Sequence, residues 1–182
     1  MQEKLVAGME LTGEHVRGRL KACHATVNLN MFCKICKPET VEIGEHTRVC
    51  DFVFIWGGIS SKIGRYVDMQ PHVTIWGGGE IVIGDYVSVG VSTVLLTAGY
   101  SYKEGLRMVD GRPDNETLAQ YGKLIIEDDV YIGASCTLLS NITIGKGSII
   151  GANSLVNKDT EPFGIYVGSP AKKIGVRPPL TV

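Results

Sequence analysis

Aliphatic residues recur every six positions along most of this chain. The series runs Ile43, Val49, Ile55, then Ile63, Met69, Ile75, then Ile83, Val89, Leu95. After a break it resumes at Ile126 and continues through Ile132, Leu138, Ile144, Ile150 and Val156. A period of six fits neither a helix nor the two-residue alternation of a simple strand. It fits a short strand plus a corner, three times per coil, with coils stacked as parallel strands ~4.8 Å apart. Four places after the aliphatic residue a small or β-branched residue fills the inner corner, as at Thr47, Val67, Thr93, Cys136 and Ser154. Glycine often follows the aliphatic residue directly, as at Gly44, Gly64, Gly84, Gly133 and Gly151. The expected role of that glycine is to relieve a tight turn where a positive φ would penalise a side chain.

The repeat is not uniform. Ile43, Ile63 and Ile83 are 20 residues apart, whereas Ile126 and Ile144 are 18 apart. The two additional residues fall at Trp56-Gly57-Gly58 and at Trp76-Gly77-Gly78-Gly79, so one corner is enlarged in two successive coils. Trp56 and Trp76, one coil apart, should stack there, packing the corner, sealing an interface or presenting a platform to a sugar. Residues 98–123 carry no hexad and read as a loop ejected from one corner, a length that is usually functional. Its charged residues (Lys103, Glu104, Arg107, Asp110, Arg112, Asp114 and Glu116) read first as solvated surface. Residues 1–28 form an N-terminal segment without hexads, with a short helix expected around residues 14–24. The β-helix is expected over 29–175, and the tail, 176–182, should leave it.

Composition agrees with thin repeated layers: 23 of 182 residues are glycine and only 7% are aromatic. A formal net charge of −1 gives no reason to expect nucleic acid or a membrane surface as partner. No apolar run approaches the ~20 residues of a membrane span. The first residues are charged and unlike a secretion signal, and five cysteines at irregular spacing suit a reduced, cytoplasmic protein. Cys33-Lys34-Ile35-Cys36 resembles half a zinc site, but a matching second pair is missing and both Cys33 and Cys136 suit the corner core.

Four segments carry a family resemblance: Ile81-Val82-Ile83-Gly84-Asp85-Tyr86-Val87, Ile126-Glu127-Asp128-Asp129-Val130-Tyr131-Ile132-Gly133-Ala134, Ile144-Gly145-Lys146-Gly147-Ser148-Ile149-Ile150-Gly151-Ala152 and Val167-Gly168-Ser169-Pro170-Ala171-Lys172. They resemble the hexapeptide-repeat acyltransferases, and within them the galactoside, maltose and capsule-sugar acetyltransferases, over about residues 41–175. The resemblance implies an all-β, left-handed parallel β-helix and a homotrimer with active sites between neighbouring prisms. It implies acetyl-CoA as co-substrate, no metal, and a saccharide hydroxyl or nucleotide-linked amino sugar as acceptor, as in polysaccharide biosynthesis. A γ-type carbonic anhydrase shares the fold, but His15, His24, His46 and His72 do not occupy the matched coil positions its zinc would need.

Acyl transfer needs a positioned thioester, a base for the nucleophile's proton and a donor for the oxyanion. In the family the base is a histidine just inside the loop. Here the matching stretch, Leu96-Thr97-Ala98-Gly99-Tyr100, places Tyr100 there, and a phenol is a poor base at neutral pH. His72 matches an asparagine that contacts the acceptor, so His72 is the alternative base, with Tyr100 as its hydrogen-bond partner. An amine acceptor depends less on a base, which favours an amino sugar. On the CoA side the resemblance implies backbone contacts at Ala134 and Ala152, an acyl-end contact at Tyr131, and nucleotide-end contacts at Asn157, Lys158, Ser169, Pro170 and Lys172. The competing reading is a non-catalytic trimeric β-helix that binds CoA or a saccharide.

Overall fold

A computed structural model describes residues 9–100 and 119–181. Its strands form three parallel faces that wind around one apolar core. Face I stacks Ala22–Cys23, Val41–Ile43, Ser60–Ile63, Glu80–Ile83, Lys123–Ile126 and Ile142–Ile144. Face II stacks Asn28–Leu29, Arg48–Val49, Asp68–Met69, Ser88–Val89, Tyr131–Ile132, Ile149–Ile150 and Gly164–Val167. Face III stacks Lys34–Cys36, Phe54–Trp56, Thr74–Trp76, Val94–Leu96, Thr137–Leu138 and Leu155–Val156. The hexads supply the interior: Ile35, Ile55, Ile75, Leu95 and Leu138 form one column and are fully buried. Each such side chain contributes roughly 1.5–3 kcal/mol of burial. The parallel β-helix read from the repeat is therefore the fold.

The glycine after each aliphatic residue has a different cause from the expected one. Gly44, Gly64, Gly84 and Gly133 do not have positive φ. A Cβ on Gly64 would lie 2.5 Å from the Gly84 carbonyl oxygen, and one on Gly133 would lie 2.6 Å from the Ala152 nitrogen. Glycine is required there because the next coil passes too close for any side chain. Positive φ falls two residues later, mostly on residues other than glycine: His46, Tyr66 and Tyr86 at one corner, Phe52, His72 and Ser92 at the next. The strain of these left-handed residues is offset by stacking between coils. The rings of His46 and Tyr66 lie 4.9 Å apart, those of Tyr66 and Tyr86 5.0 Å, and those of Phe32 and Phe52 5.5 Å.

Buried hydroxyls in the inner corners bind one coil to the next. Thr47 Oγ1 donates to the Gly64 carbonyl at 2.8 Å and accepts from the Val67 N–H at 3.0 Å. Thr93 Oγ1 donates to the Gly133 carbonyl at 2.9 Å and accepts from the Cys136 N–H at 3.2 Å. Both hydroxyls are buried with donor and acceptor capacity used, so they carry no unpaired polar cost.

Both ends of the prism are closed. The expected helix near residues 14–24 is a 3₁₀ helix over Gly13–Arg19, whose Val16 joins the core. Arg17 fixes it by donating to the His24 and Val27 carbonyls at 3.1 and 2.6 Å. The first coil begins within residues 1–28, because Cys23 pairs with Ile43. Pro38–Thr40 occupies its enlarged corner, so the enlargement starts a coil earlier than the tryptophans suggest. At the other end Lys172–Val176 folds back antiparallel on Gly164–Val167. Arg177 then donates to the Asp129 and Gly147 carbonyls at 2.9 and 3.3 Å. The chain therefore stays on the prism to Arg177 and covers the last strand edge, which would otherwise offer unpaired backbone groups.

Candidate functional site

The ejected loop leaves the third corner through a short antiparallel ladder, Ala98–Tyr100 against Ala119–Tyr121. Residues 101–118, with the seven loop charges named above, lie outside the described residues. The ladder stands beside the enlarged corner of the preceding coils. Together they enclose a cleft of about 650 Å³, within the usual size of a ligand site, walled by Trp56, Trp76, Leu96, Tyr100 and Tyr121. Gly77 and Gly78 form its floor, with φ of 130° and 80°, values that only glycine adopts without strain. Trp56 and Trp76 meet as expected, ring centroids 5.5 Å apart, but tilted by 56° instead of face to face. Trp76 stays 51% exposed and presents its outer face to the cleft.

Tyr100 lines this cleft, but His72 does not. His72 sits at the second corner with φ of 65°, exposed to solvent. Its ring stacks on Phe52, centroids 5.0 Å apart and planes within 9°, as the third ring of the Phe32–Phe52 stack. The next residue in that column is Ser92, too small to cover the other face of the imidazole. His72 and Trp76 lie at opposite ends of the Thr74–Trp76 strand, four residues apart in sequence. At ~3.3 Å per residue that separates His72 from the edge of the cleft by roughly 13 Å. Within one chain His72 and Tyr100 therefore border the same face at its two edges.

The residues matched to CoA binding lie further along the same faces. Tyr131 projects from face II, half exposed and in register with Ser88 and Ile149. Ala134 and Ala152 stack at the second corner, below His72, where a side chain on Gly133 would strike Ala152. Asn157 and Lys158 are exposed at the third corner after Leu155–Val156. Ser169 and Pro170, joined by a cis peptide bond, lead into Lys172, and all three are exposed. The predicted residues thus fall on both edges of face III and on the adjoining strip of face II. Outward Phe54, Trp56, Val94, Leu96 and Leu155 make face III apolar between them.

Tyr121 is a cleft residue that the hexad reading passed over, because it precedes the point where the repeat resumes. Its one signal was position: an aromatic residue next to Gly122, at the foot of the loop. The cysteines take no part. Cys33 and Cys136 are buried, and burial pushes the Cys33 thiol up to about 11, so it stays protonated and inert. Among the described residues no group of three or more histidine, cysteine or carboxylate side chains is placed to hold a metal.

Comparison with known proteins agrees with this architecture. Residues 123–158 match the family model described as bacterial transferase hexapeptide (six repeats). A chloramphenicol acetyltransferase of Klebsiella aerogenes is 48% identical over 56 residues, 31% of this chain and 27% of that protein. The match spans about a quarter of that relative's length. A point mutant of AntD, an N-acyltransferase from Bacillus cereus solved with dTDP-4-amino-4,6-dideoxyglucose and coenzyme A, superposes with a TM-score of 0.81 at 27% identity, covering 88% of this chain and 86% of AntD. The acetyltransferase VCA0836 of Vibrio cholerae O1 biovar eltor, solved with acetyl coenzyme A, superposes with a TM-score of 0.63 at 26% identity, covering 91% of this chain and 75% of that one. With the six-residue repeat, the three-faced solenoid and the loop at one corner, these likenesses place the chain in the hexapeptide-repeat acyltransferase superfamily.

Proposed function

We propose that this protein transfers an acetyl group from acetyl-CoA to the amine of a nucleotide-linked amino sugar. The observation that carries the reading is the likeness to AntD, an N-acyltransferase solved with a dTDP-amino sugar and coenzyme A, across nearly the whole chain. The amine attacks the thioester carbonyl, the tetrahedral intermediate collapses, and the CoA thiolate leaves. The proton lost by nitrogen reprotonates the sulfur. A saccharide hydroxyl is the other acceptor of this chemistry, but it needs a base at the moment of attack, and Tyr100 stands where that base is expected. His72 is the group proposed to contact the acceptor and take its proton. Its ring is already held by Phe52, which lowers the entropy lost on binding.

The CoA arm is proposed to follow Tyr131, Ala134 and Ala152, with its nucleotide end near Asn157, Lys158, Ser169, Pro170 and Lys172. A homotrimer is part of this reading. In a cyclic assembly one edge of a subunit meets a different edge of the next, so the His72 edge of one prism faces the Tyr100 edge of its neighbour. The apolar strip on face III is the kind of surface such packing buries. A cytoplasmic role in supplying acetylated sugars for polysaccharide synthesis suits five unpaired cysteines and a CoA thioester substrate.

The test is thiol release from acetyl-CoA with dTDP-amino sugars beside the matching sugars bearing hydroxyl groups. The reading expects turnover with the amines. Acetyl-CoA binding without turnover on any amine or hydroxyl acceptor would replace the enzyme with a CoA-binding scaffold.

A further inference from the structure

We propose that the Trp76 cleft receives the nucleobase of the acceptor, stacked on the exposed face of Trp76, so that the base anchors the substrate while its sugar reaches out toward the neighbouring subunit. This rests on the reading above that the acceptor is nucleotide-linked, and it assigns the base a place. Three observations carry it. The described lining of the cleft is apolar and aromatic, which suits the flat base of the ligand better than its diphosphate. Its walls are aromatic, and a large indole face left half in water is what a flat ring covers with most gain. The floor is kept open by glycine. A Cβ on Gly78 would lie 3.1 Å from Tyr121 Cε1 and 3.7 Å from Trp56 Nε1, in the gap between the two rings.

The same floor supplies polarity. The neighbouring Gly79 N–H donates to Thr97 Oγ1 at 3.0 Å, whereas among the described residues the Gly77 and Gly78 N–H groups meet no protein acceptor. A ring carbonyl of thymine or uracil can take such a donor while its face lies on the indole. A saccharide ring offers a weaker fit, because among the described residues the walls are apolar and aromatic and its hydroxyls point outward around the ring.

The chain contains two tryptophans, Trp56 and Trp76, and both line the cleft, so indole emission reports its occupancy directly. Thymidine diphosphate and thymidine alone are expected to quench it, and glucose is not. Trp76→Ala should weaken thymidine diphosphate binding by roughly 10- to 100-fold, with Trp56 still reporting, and Trp76→Phe should recover most of the loss. Quenching by glucose but not thymidine, or an unchanged Kd in Trp76→Ala, overturns the assignment. Calorimetry with acetyl-CoA on the same proteins separates this outcome from failure of the function itself. A Trp76→Ala protein that still binds acetyl-CoA and turns over acceptor with unchanged KM sinks only the base site, whereas a wild-type protein that binds no acetyl-CoA sinks the acyl-transfer reading.

Discussion

Gly64 shows how a single residue ties the sequence period to the spacing of coils. Its absent side chain would lie 2.5 Å from the Gly84 carbonyl oxygen, inside any permitted contact, and the obstacle is backbone that cannot turn aside. Gly64→Ala should therefore destabilise the fold by roughly 2–3 kcal/mol, read as a fall in the urea midpoint. Gly18 is the control: nothing lies within 4 Å of a Cβ there, its φ is not positive, and Gly18→Ala should be neutral or raise stability by up to ~1 kcal/mol. Equal effects at both positions would mean that close approach is not what selects glycine after the aliphatic residue. The sequence shows where these glycines stand but not why, since a tight turn and a close approach both ask for glycine. What separates the two is the coil-to-coil register. The register also makes columns of His46, Tyr66 and Tyr86 and of Phe32, Phe52 and His72, rings 20 residues apart that look unrelated along the chain.

The corners, as elements, turn backbone N–H groups toward solvent, and carboxylates of the next coil satisfy several of them. Asp51 accepts from the Phe32 N–H at 2.9 Å, Asp85 from the Arg65 N–H at 2.7 Å, Asp128 from the Asp85 N–H at 3.0 Å and Asp159 from the Thr143 N–H at 2.7 Å. Asp85 also pairs with the Arg65 guanidinium at 2.7 Å. That guanidinium, and then the Arg65 N–H, holds the Asp85 carboxyl below its ordinary 3.8. A carboxyl whose folded pKa is depressed adds stability above its unfolded pKa and loses it as pH falls through the folded one. Stability should therefore drop from about pH 4 downward, and Asp85→Asn, which keeps an oxygen for the Arg65 N–H, should lower stability at pH 7. The gap between the two proteins should close in acid, as followed by thermal unfolding at stepped pH. A gap that stays constant to pH 2 would show that the charge of Asp85 is not what stabilises the corner. The hexad made strands and core legible because their period is strict. The corners were legible only as enlargements, since these carboxylate hydrogen bonds join residues 16 to 43 positions apart.

At the scale of the whole molecule, one chain presents its candidate groups on opposite edges of an apolar face, and the proposed trimer is what would bring them together. His72 was legible as an outward histidine, and Tyr100 as the residue in the place of the family's base. Their separation was not legible, because it follows from the length of the Thr74–Trp76 strand between two corners and not from any motif. If sites form between subunits, two defective chains can complement each other. His72→Asn and Tyr100→Phe should each lower kcat/KM on the amino-sugar acceptor, the first by ~10²-fold or more if His72 carries the proton. Co-expression in equal amounts should then restore about a quarter of the wild-type sites, because a site draws an intact His72 from one subunit and an intact Tyr100 from the next in one arrangement out of four. Thiol release per active site in the purified mixture measures the fraction. A mixture no more active than the better single variant would place both groups in a site made by one chain. Given the roughly 13 Å from His72 to the edge of the cleft that Tyr100 lines, that result would remove one of the two from the chemistry.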